Sequence, residues 1–133
     1  MPERFVFDYA VVRVVPRVER GEFLNAGVIV FCPTSGFLDA RIELDVRRLL
    51  VLDPSIDVAA VQSYLASIPV ICAGGEEAGA IGSLPQRARF HWLVAPRSTI
   101  IQTSAVHSGV HEDPAVALEG LFEKLVRPPQ APA

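Results

Sequence analysis

The stretch FVFDYAVVRVVP, residues 5–16, decides the fold. It is rich in aromatic and β-branched residues, which favour extended strands. Successive side chains of a strand point to opposite faces. One face therefore carries Phe5, Phe7, Tyr9, Val11, Arg13 and Val15, and the other carries Val6, Asp8, Ala10, Val12 and Val14. Because both faces are largely apolar, the pattern predicts the central strand of a sheet.

Two further strands are predicted directly after this one. FLNAGVIVFC, residues 23–32, is the second, and Gly27 inside it indicates a bulge or the close approach of another backbone. PTSG, residues 33–36, has the Pro and Gly of a turn, so we expect FLDARIEL, residues 37–44, to return antiparallel. Apolar and charged residues alternate in this third strand, which predicts that one of its faces is in water.

Helices are predicted on both sides of a glycine-rich stretch. A short helix covers residues 46–52, and Asp57 caps a longer one that Pro69 ends or kinks. Residues 73–83 contain four glycines and are expected to form a flexible connector. Asp113 and Pro114 begin the last helix, whose apolar side carries Leu118, Leu121, Phe122 and Leu125.

The segment LPQRARFHWLV, residues 84–94, is open to two interpretations. Ser83 and Gln86 have the spacing of a capping box, which favours a helix. Phe, Trp and Val also favour sheets, so a strand over residues 89–94 remains an alternative. STIIQTS, residues 98–104, predicts a strand that returns to the sheet.

These elements together predict an α+β fold. We expect an antiparallel sheet of about four strands with two or three helices packed on one face. The 133 residues are enough for one hydrophobic core, so a single domain is expected over residues 1–126. The Pro- and Ala-rich end, residues 127–133, is expected to be a flexible tail.

Composition argues against several classes of protein. The net charge of −3 at pH 7 disfavours a nucleic-acid-binding surface. No apolar run reaches the roughly 18 residues of a membrane span, and the N-terminus lacks the features of a signal peptide, so we expect no membrane association and a cytoplasmic location. Cys32 and Cys72 have apolar neighbours and no ligand spacing, which predicts two buried free thiols.

One segment differs chemically from the rest, because residues 78–110 contain no Asp or Glu. The arginines in it must find acids elsewhere, face water or bind an anionic partner. Arg97 and Ser98 are expected in one loop, and His107 lies in a second loop before a glycine. If the two loops meet, these three residues and Arg89 can hold a phosphate or a carboxylate.

Each of these polar residues also has a structural interpretation. Arg97 can pair with an acid such as Asp8 or Glu19, and His107 can bond to backbone. Polar side chains on a largely apolar strand either close the hydrogen bonds of the core or line a pocket, and we favour the structural role for them. Two residues of this kind complete the candidate ligand-binding set, Arg13 and Asn25.

The sequence predicts no metal and no cofactor. His107 and His111 have the spacing of zinc ligands on a helix, but Gly109 lies between them and no HExxH glutamate is present. The glycines of residues 74–82 lack the GK[ST] ending of a phosphate-binding loop. No GxSxG motif surrounds a serine, so no reaction is identified.

Two longer phrases carry a family resemblance. YAVVRVVPRVERGEFLNAGVIVFC, residues 9–32, and RFHWLVAPRSTIIQTSAVHSGVHEDP, residues 89–114, resemble the bacterial family known as domain of unknown function 3037. The resemblance covers nearly the whole chain and implies a cytoplasmic bacterial setting. Members of the family are often encoded beside a HipA-like serine/threonine kinase. The resemblance assigns no role to any residue.

Two functional hypotheses from different classes follow. The first is a non-enzymatic accessory or regulatory partner of a HipA-like kinase, in a setting similar to a toxin-antitoxin pair. The alternative is a small domain, catalytic or not, that binds an anionic phosphate-like or nucleotide-like ligand through Arg97, Ser98 and His107. A homo-oligomer is a further hypothesis, in which a second copy covers an edge of the first strand.

Overall fold

The structure is a computed structural model that describes residues 3–129, and it confirms the α+β fold. The strands are β1 (Phe5–Val14), β2 (Leu24–Cys32), β3 (Phe37–Ile42), β4 (Ile101–Thr103) and β5 (His107–His111). The α-helices are α1 (Val46–Leu52), α2 (Val58–Ala73), α3 (Gln86–Val94) and α4 (Pro114–Leu125). Two 3-10 segments cover Val18–Arg20 and Glu76–Ser83.

β1 is the centre of an antiparallel sheet, as its two apolar faces predict. β2 pairs with one edge of β1, and β3 pairs with the far edge of β2. β4 and β5 share the other edge of β1, where β4 pairs with its C-terminal half and β5 with its N-terminal half. The sheet has five strands, yet four lie side by side at any level, close to the predicted number.

Three helices pack on one face of the sheet, within the predicted number, but the prediction omitted a fourth helix that covers the opposite face. α1, α2 and α3 pack on one face, over a core that includes Ile29 and Phe31 of β2. α4 packs on the opposite face, over Val28, Val30 and Cys32 of the same strand. The physical reason is the run of apolar residues in β1 and β2. It gives the sheet two apolar faces, and a layer of helices is needed to bury each of them.

Aspartates begin three of the helices. The Asp57 carboxylate accepts a hydrogen bond from the Ala60 N–H at 3.0 Å, and Asp45 and Asp113 cap α1 and α4 in the same way. Pro69 does not end α2, which continues to Ala73. The last turn survives because Ile71 and Cys72 are buried in the core, so packing outweighs the hydrogen bond that the proline lacks.

Three segments differ from their predictions in detail. Of the two interpretations of residues 84–94, the helix is correct: Gln86–Val94 form α3, with Phe90 and Leu93 buried, although Ser83 does not cap it and instead donates to the Ala80 carbonyl at 2.7 Å. The connector predicted over residues 73–83 contains a 3-10 segment, closed by the Gly75 N–H on the Gly82 carbonyl at 3.1 Å. The strand predicted over residues 98–104 is shortened to β4.

Both flanks of β1 are irregular at the same level. On the β2 side the register shifts between Val12 and Arg13, so the bulge predicted from Gly27 is present. A Cβ at Gly27 would lie 2.9 Å from the Arg41 carbonyl oxygen, so the close backbone approach is present as well. On the other side the register also shifts by one residue between β4 and β5, where Ser104 continues the ladder. Its Oγ accepts from the Val11 N–H at 2.9 Å and its own N–H donates to the Val11 carbonyl at 2.8 Å.

The remaining predictions concern the cysteines, the chain end and the membrane. Cys32 and Cys72 are free and buried, as predicted, and burial raises the pKa of the Cys72 thiol to about 12. The predicted tail, residues 127–133, is described only as far as Pro129, and residues 130–133 lie outside the described part. Within residues 3–129, no single helix has the length and hydropathy that crossing a membrane requires.

Candidate functional site

Arg89, one of the candidate anion ligands, is buried at the end of α2. Its Nε donates to the Leu84 carbonyl at 2.9 Å, and its Nη1 donates to the Ile71 carbonyl at 3.0 Å and also to that of Cys72. Gly74 has a φ of +75°, and a Cβ there would lie 2.8 Å from Nη1, so the glycine leaves room for the guanidinium. The charge of Arg89 is therefore placed against the negative end of a helix rather than toward a ligand.

Arg97 has the same role at the end of α3. Its Nη1 donates to the Leu93 carbonyl at 3.0 Å and its Nη2 to that of Trp92, and its Cζ lies 4.6 Å from the centre of a Trp92 ring. The predicted alternative, an ion pair with Asp8 or Glu19, does not occur within residues 3–129. These two arginines need no carboxylate, because carbonyl oxygens at helix ends accept their hydrogen bonds. This explains how two arginines of the acid-free segment are satisfied without an acidic residue nearby.

His107 lies in β5, not in the predicted loop. It faces Tyr9 across the sheet, and the two rings are 5.5 Å apart. Tyr9 packs on the face that α4 covers, whereas Arg97 caps a helix of the opposite face. Arg97 and Ser98 are therefore adjacent only because they are neighbours in sequence, and the structure does not bring His107 to them.

Arg13 and Asn25 are neighbours across β1 and β2. The Cζ of Arg13 lies 4.3 Å from the centre of the Phe23 ring, and Asn25 Nδ2 donates to the Leu125 carbonyl at 3.0 Å. Asn25 thus fastens the end of α4 to the sheet. Two buried atoms of this pair, Arg13 Nε and Asn25 Oδ1, have no hydrogen-bond partner among the described residues.

A groove that the sequence did not predict lies between α2 and the chain that enters β4. Its larger part is a cavity of about 420 Å³. A smaller depression of about 90 Å³ adjoins it, and the two share Tyr64, Thr99 and Ile101. We call this the α2–β4 groove; its lining also includes Val18, Ile56, Ala60, Val61, Ser98 and Ile100 in the larger part and Ile68, Trp92, Arg97 and Gln102 in the smaller part.

One wall of the α2–β4 groove is held by hydrogen bonds to backbone carbonyls. The Val15 N–H donates to the Ile100 carbonyl at 2.6 Å, which ties the entering chain to β1. Thr99 Oγ1 donates to the Ile101 carbonyl and Gln102 Nε2 donates to the Thr99 carbonyl, each at 2.9 Å. Residues 99–102 are therefore held in one conformation by hydrogen bonds and form a wall of the groove.

Large amphipathic side chains border the α2–β4 groove. Tyr64 is 69% exposed and Trp92 is 42% exposed, and Arg97 lies over the Trp92 ring. The lining of the cavity is mostly apolar, with Ala60, Val61 and Ile101 among its residues. A sequence signal existed for Tyr64, because this aromatic residue lies beside the buried stripe of α2 rather than in it.

The chemistry of the groove favours apolar contacts. Asp57 and Arg97 are the charged residues that line it among the described residues, and both are already bonded to helix ends. The described residues contain no group of three or more His, Cys, Asp or Glu that could hold a metal ion. The groove is thus suited to apolar and aromatic groups rather than to a charged substrate.

One family model matches residues 9–126, and its description is "Protein of unknown function (DUF3037)". The chain belongs to this family. No curated protein and no solved structure matches it. In this DUF3037 chain, the first of the two resembling phrases covers the C-terminal part of β1, the first 3-10 segment and β2. The second phrase covers most of α3, together with β4 and β5, so the two phrases lie side by side in the sheet.

Proposed function

We propose that this DUF3037 protein is a non-enzymatic binding domain that recognises a protein partner through the α2–β4 groove. The observation that carries the proposal is the grouping of Tyr64, Trp92 and Arg97 around an open apolar groove. Tyr, Trp and Arg are the residue types most enriched at the energetic centres of protein interfaces. They combine a large apolar surface with a polar group, which suits a surface that is exposed to solvent in the free protein and buried in the complex.

The shape of the groove favours an inserted side chain from the partner. The cavity of about 420 Å³ is lined by Tyr64, which also lines the adjoining depression together with Trp92. An apolar side chain of the partner can fill the cavity while Tyr64 and Trp92 cover the surrounding backbone. This arrangement concentrates binding energy in a small area, as interface anchors do.

The partner we propose is a HipA-like kinase in the bacterial cytoplasm. Support comes from the family membership, because the family resembled by the two phrases is often encoded beside such a kinase. The chain would act on the kinase as an accessory or regulatory subunit.

The anion-binding alternative has weaker support. It requires Arg97, Ser98 and His107 in one place, and only Arg97 and Ser98 border the groove. The Nη1 and Nη2 atoms of Arg97 already donate to carbonyls. A phosphate would have to displace these bonds, so we place protein binding first.

Titration calorimetry of the full chain with the purified kinase tests the proposal. We expect binding at micromolar concentrations, and we expect Trp92→Ala and Tyr64→Ala each to weaken it by roughly tenfold or more. Gln62→Ala is the matched control, because Gln62 is an exposed residue of the same helix that does not line the groove.

Two results would overturn different parts of the proposal. If the kinase does not bind the folded wild-type chain, the choice of partner is wrong. If it binds the two groove variants as tightly as the control, the interface lies elsewhere on the protein. Circular dichroism of each variant establishes that the fold is intact before binding is compared.

A further inference from the structure

Backbone hydrogen bonding distinguishes the free edges of the sheet. β3 is the outer strand on one side, and the Glu43 N–H bonds to the Ala26 carbonyl just beyond it at 2.9 Å. The alternation of a strand then turns the backbone groups of Ala40 outward. The N–H of Ala40 is met by the carboxylate of Asp39 at 2.8 Å, so a side chain partly closes this edge.

The β4 part of the opposite edge is also closed by a side chain. The Val15 N–H bonds to the Ile100 carbonyl, which turns the backbone groups of Ile101 outward. Thr99 Oγ1 donates to the Ile101 carbonyl at 2.9 Å. A foreign strand would have to displace this bond in order to pair here.

The β5 part of the same edge is open. The N–H groups of Val11 and of Val15, the residue just after β1, point to the side of β1 where β4 and β5 lie. The other odd-numbered residues of β1 therefore direct their backbone groups to β5. The Val6 carbonyl points the other way, 3.6 Å from Cys32 Sγ, as this alternation requires. Ser108 and Val110, which pair with even-numbered residues of β1, therefore turn their N–H and C=O groups outward, and no hydrogen bond within residues 3–129 meets them.

The side chains along β5 do not protect this edge. The strand HSGVH contains no Lys, Pro, Asp or Glu, the residues that commonly guard an exposed edge. Val110 is 55% exposed and its partner across the strands, Val6, is 61% exposed, so an apolar patch adjoins the open backbone groups. The nearest carboxylate, Asp8, accepts a hydrogen bond from Ser108 Oγ at 2.8 Å.

We infer that β5 pairs antiparallel with β5 of a second copy of this chain, so that one sheet runs through a two-fold dimer. With the axis at Gly109, Ser108 of each copy faces Val110 of the other. Each such pair exchanges two backbone hydrogen bonds, as an antiparallel ladder allows.

The edge is complementary to itself in three respects. The same two residues supply donors and acceptors on both sides, as a two-fold interface requires. The strand is uncharged when its histidines are neutral, so pairing brings no like charges together. Val6 and Val110 of both copies come to lie on one face, which removes apolar surface from water. The dimer uses no residue of the α2–β4 groove and stands independently of the proposed function.

Sedimentation velocity over a range of concentrations tests the dimer. We expect a species of twice the 14.4 kDa chain mass for the wild type. Val110→Lys is expected to raise the dissociation constant roughly tenfold or more, because it places a charge at the centre of the new ladder. Val116→Lys is the matched control, since Val116 is also 55% exposed but lies on α4.

A second variant guards against misfolding. Ser108→Pro removes an N–H that points away from β1 together with the exposed hydroxyl that bonds to Asp8, so the fold is expected to survive while pairing is lost. Hydrogen exchange supplies a local readout: the amides of Ser108 and Val110 should become protected as the concentration rises. A wild-type chain that stays monomeric, or a dimer in which these two amides exchange freely, would overturn the inference.

Discussion

Arginines hold two helix ends of this protein in different ways. At the end of α2, Arg89 is buried and its donors go to the carbonyls of Ile71, Cys72 and Leu84. At the end of α4, Arg127 is exposed and pairs with Glu123 at 2.8 Å and Glu43 at 3.2 Å. The buried carbonyls are removed from water and depend on Arg89 for their hydrogen bonds. At the exposed end, water can hydrogen-bond to the charged groups if the ion pairs are lost. The end of α2 is therefore the more firmly held of the two helix ends.

The largest expected effect is the loss of the buried arginine. Arg89→Met should lower the free energy of unfolding by about 3 kcal/mol, because buried carbonyls lose a charged donor. Urea unfolding measures the change. Arg87→Met is the control, since Arg87 is exposed on the same helix. Equal unfolding midpoints for the two variants would contradict the comparison.

Removing Arg97 should have an intermediate effect. Arg97→Ala leaves the Leu93 and Trp92 carbonyls without their donor, but this end of α3 is only partly buried and water can reach it. We expect a loss of about 1–2 kcal/mol in the same urea experiment. A loss as large as that of Arg89→Met would show that burial does not separate the two helix ends.

Alkaline pH should affect the buried helix end through Cys72. Its thiol has a pKa of about 12 in the folded protein, above the ordinary value of 9.0, because burial disfavours the thiolate. Above pH 9 the unfolded chain loses this proton and the folded chain keeps it, so stability falls as the pH rises toward 12. The loss is about 1.4 kcal/mol per pH unit in this window. Unfolding of Cys72→Ala, compared with wild type at pH 8 and pH 10, isolates it; an identical pH dependence would refute the assignment.

The smallest effect is expected at the exposed helix end. Arg127→Ala should lower the free energy of unfolding less than any of the changes above, because exposed ion pairs contribute little in water. High salt should remove even this difference, since mobile ions screen the pairs. Thermal unfolding of wild type and variant at low and high salt measures both effects. A large loss of stability that persists at high salt would contradict the comparison, because Arg127 would then stabilise its helix end as strongly as Arg89 does.

Local pattern predicted the elements whose own residues determine them. The apolar alternation of residues 5–16 gave β1 its central place, and the aspartate caps located the starts of α2 and α4. The last helix began at Pro114, as its Asp-Pro start indicated. These features depend on short-range periodicity and capping, which a single sequence carries.

Features that depend on distant partners were not predictable in the same way. HSGVH has few strand-forming residues, and it is a strand because β1 offers it an unpaired edge. The positions of Arg97 and His107 follow from which face of the sheet each chain segment reaches. The second apolar layer was implicit in the two apolar faces of the first strand, yet the sequence could not say that α4 would cover one of them.

The lateness of β4 and β5 in the chain has a consequence for synthesis on the ribosome. β1 emerges first, and β2 covers one of its edges soon afterwards, but the other edge waits for residues 101–111. Until then, a nascent chain exposes a long apolar strand that can join another polypeptide. We expect chaperone dependence to peak before residues 101–111 emerge and to end once α4 has emerged.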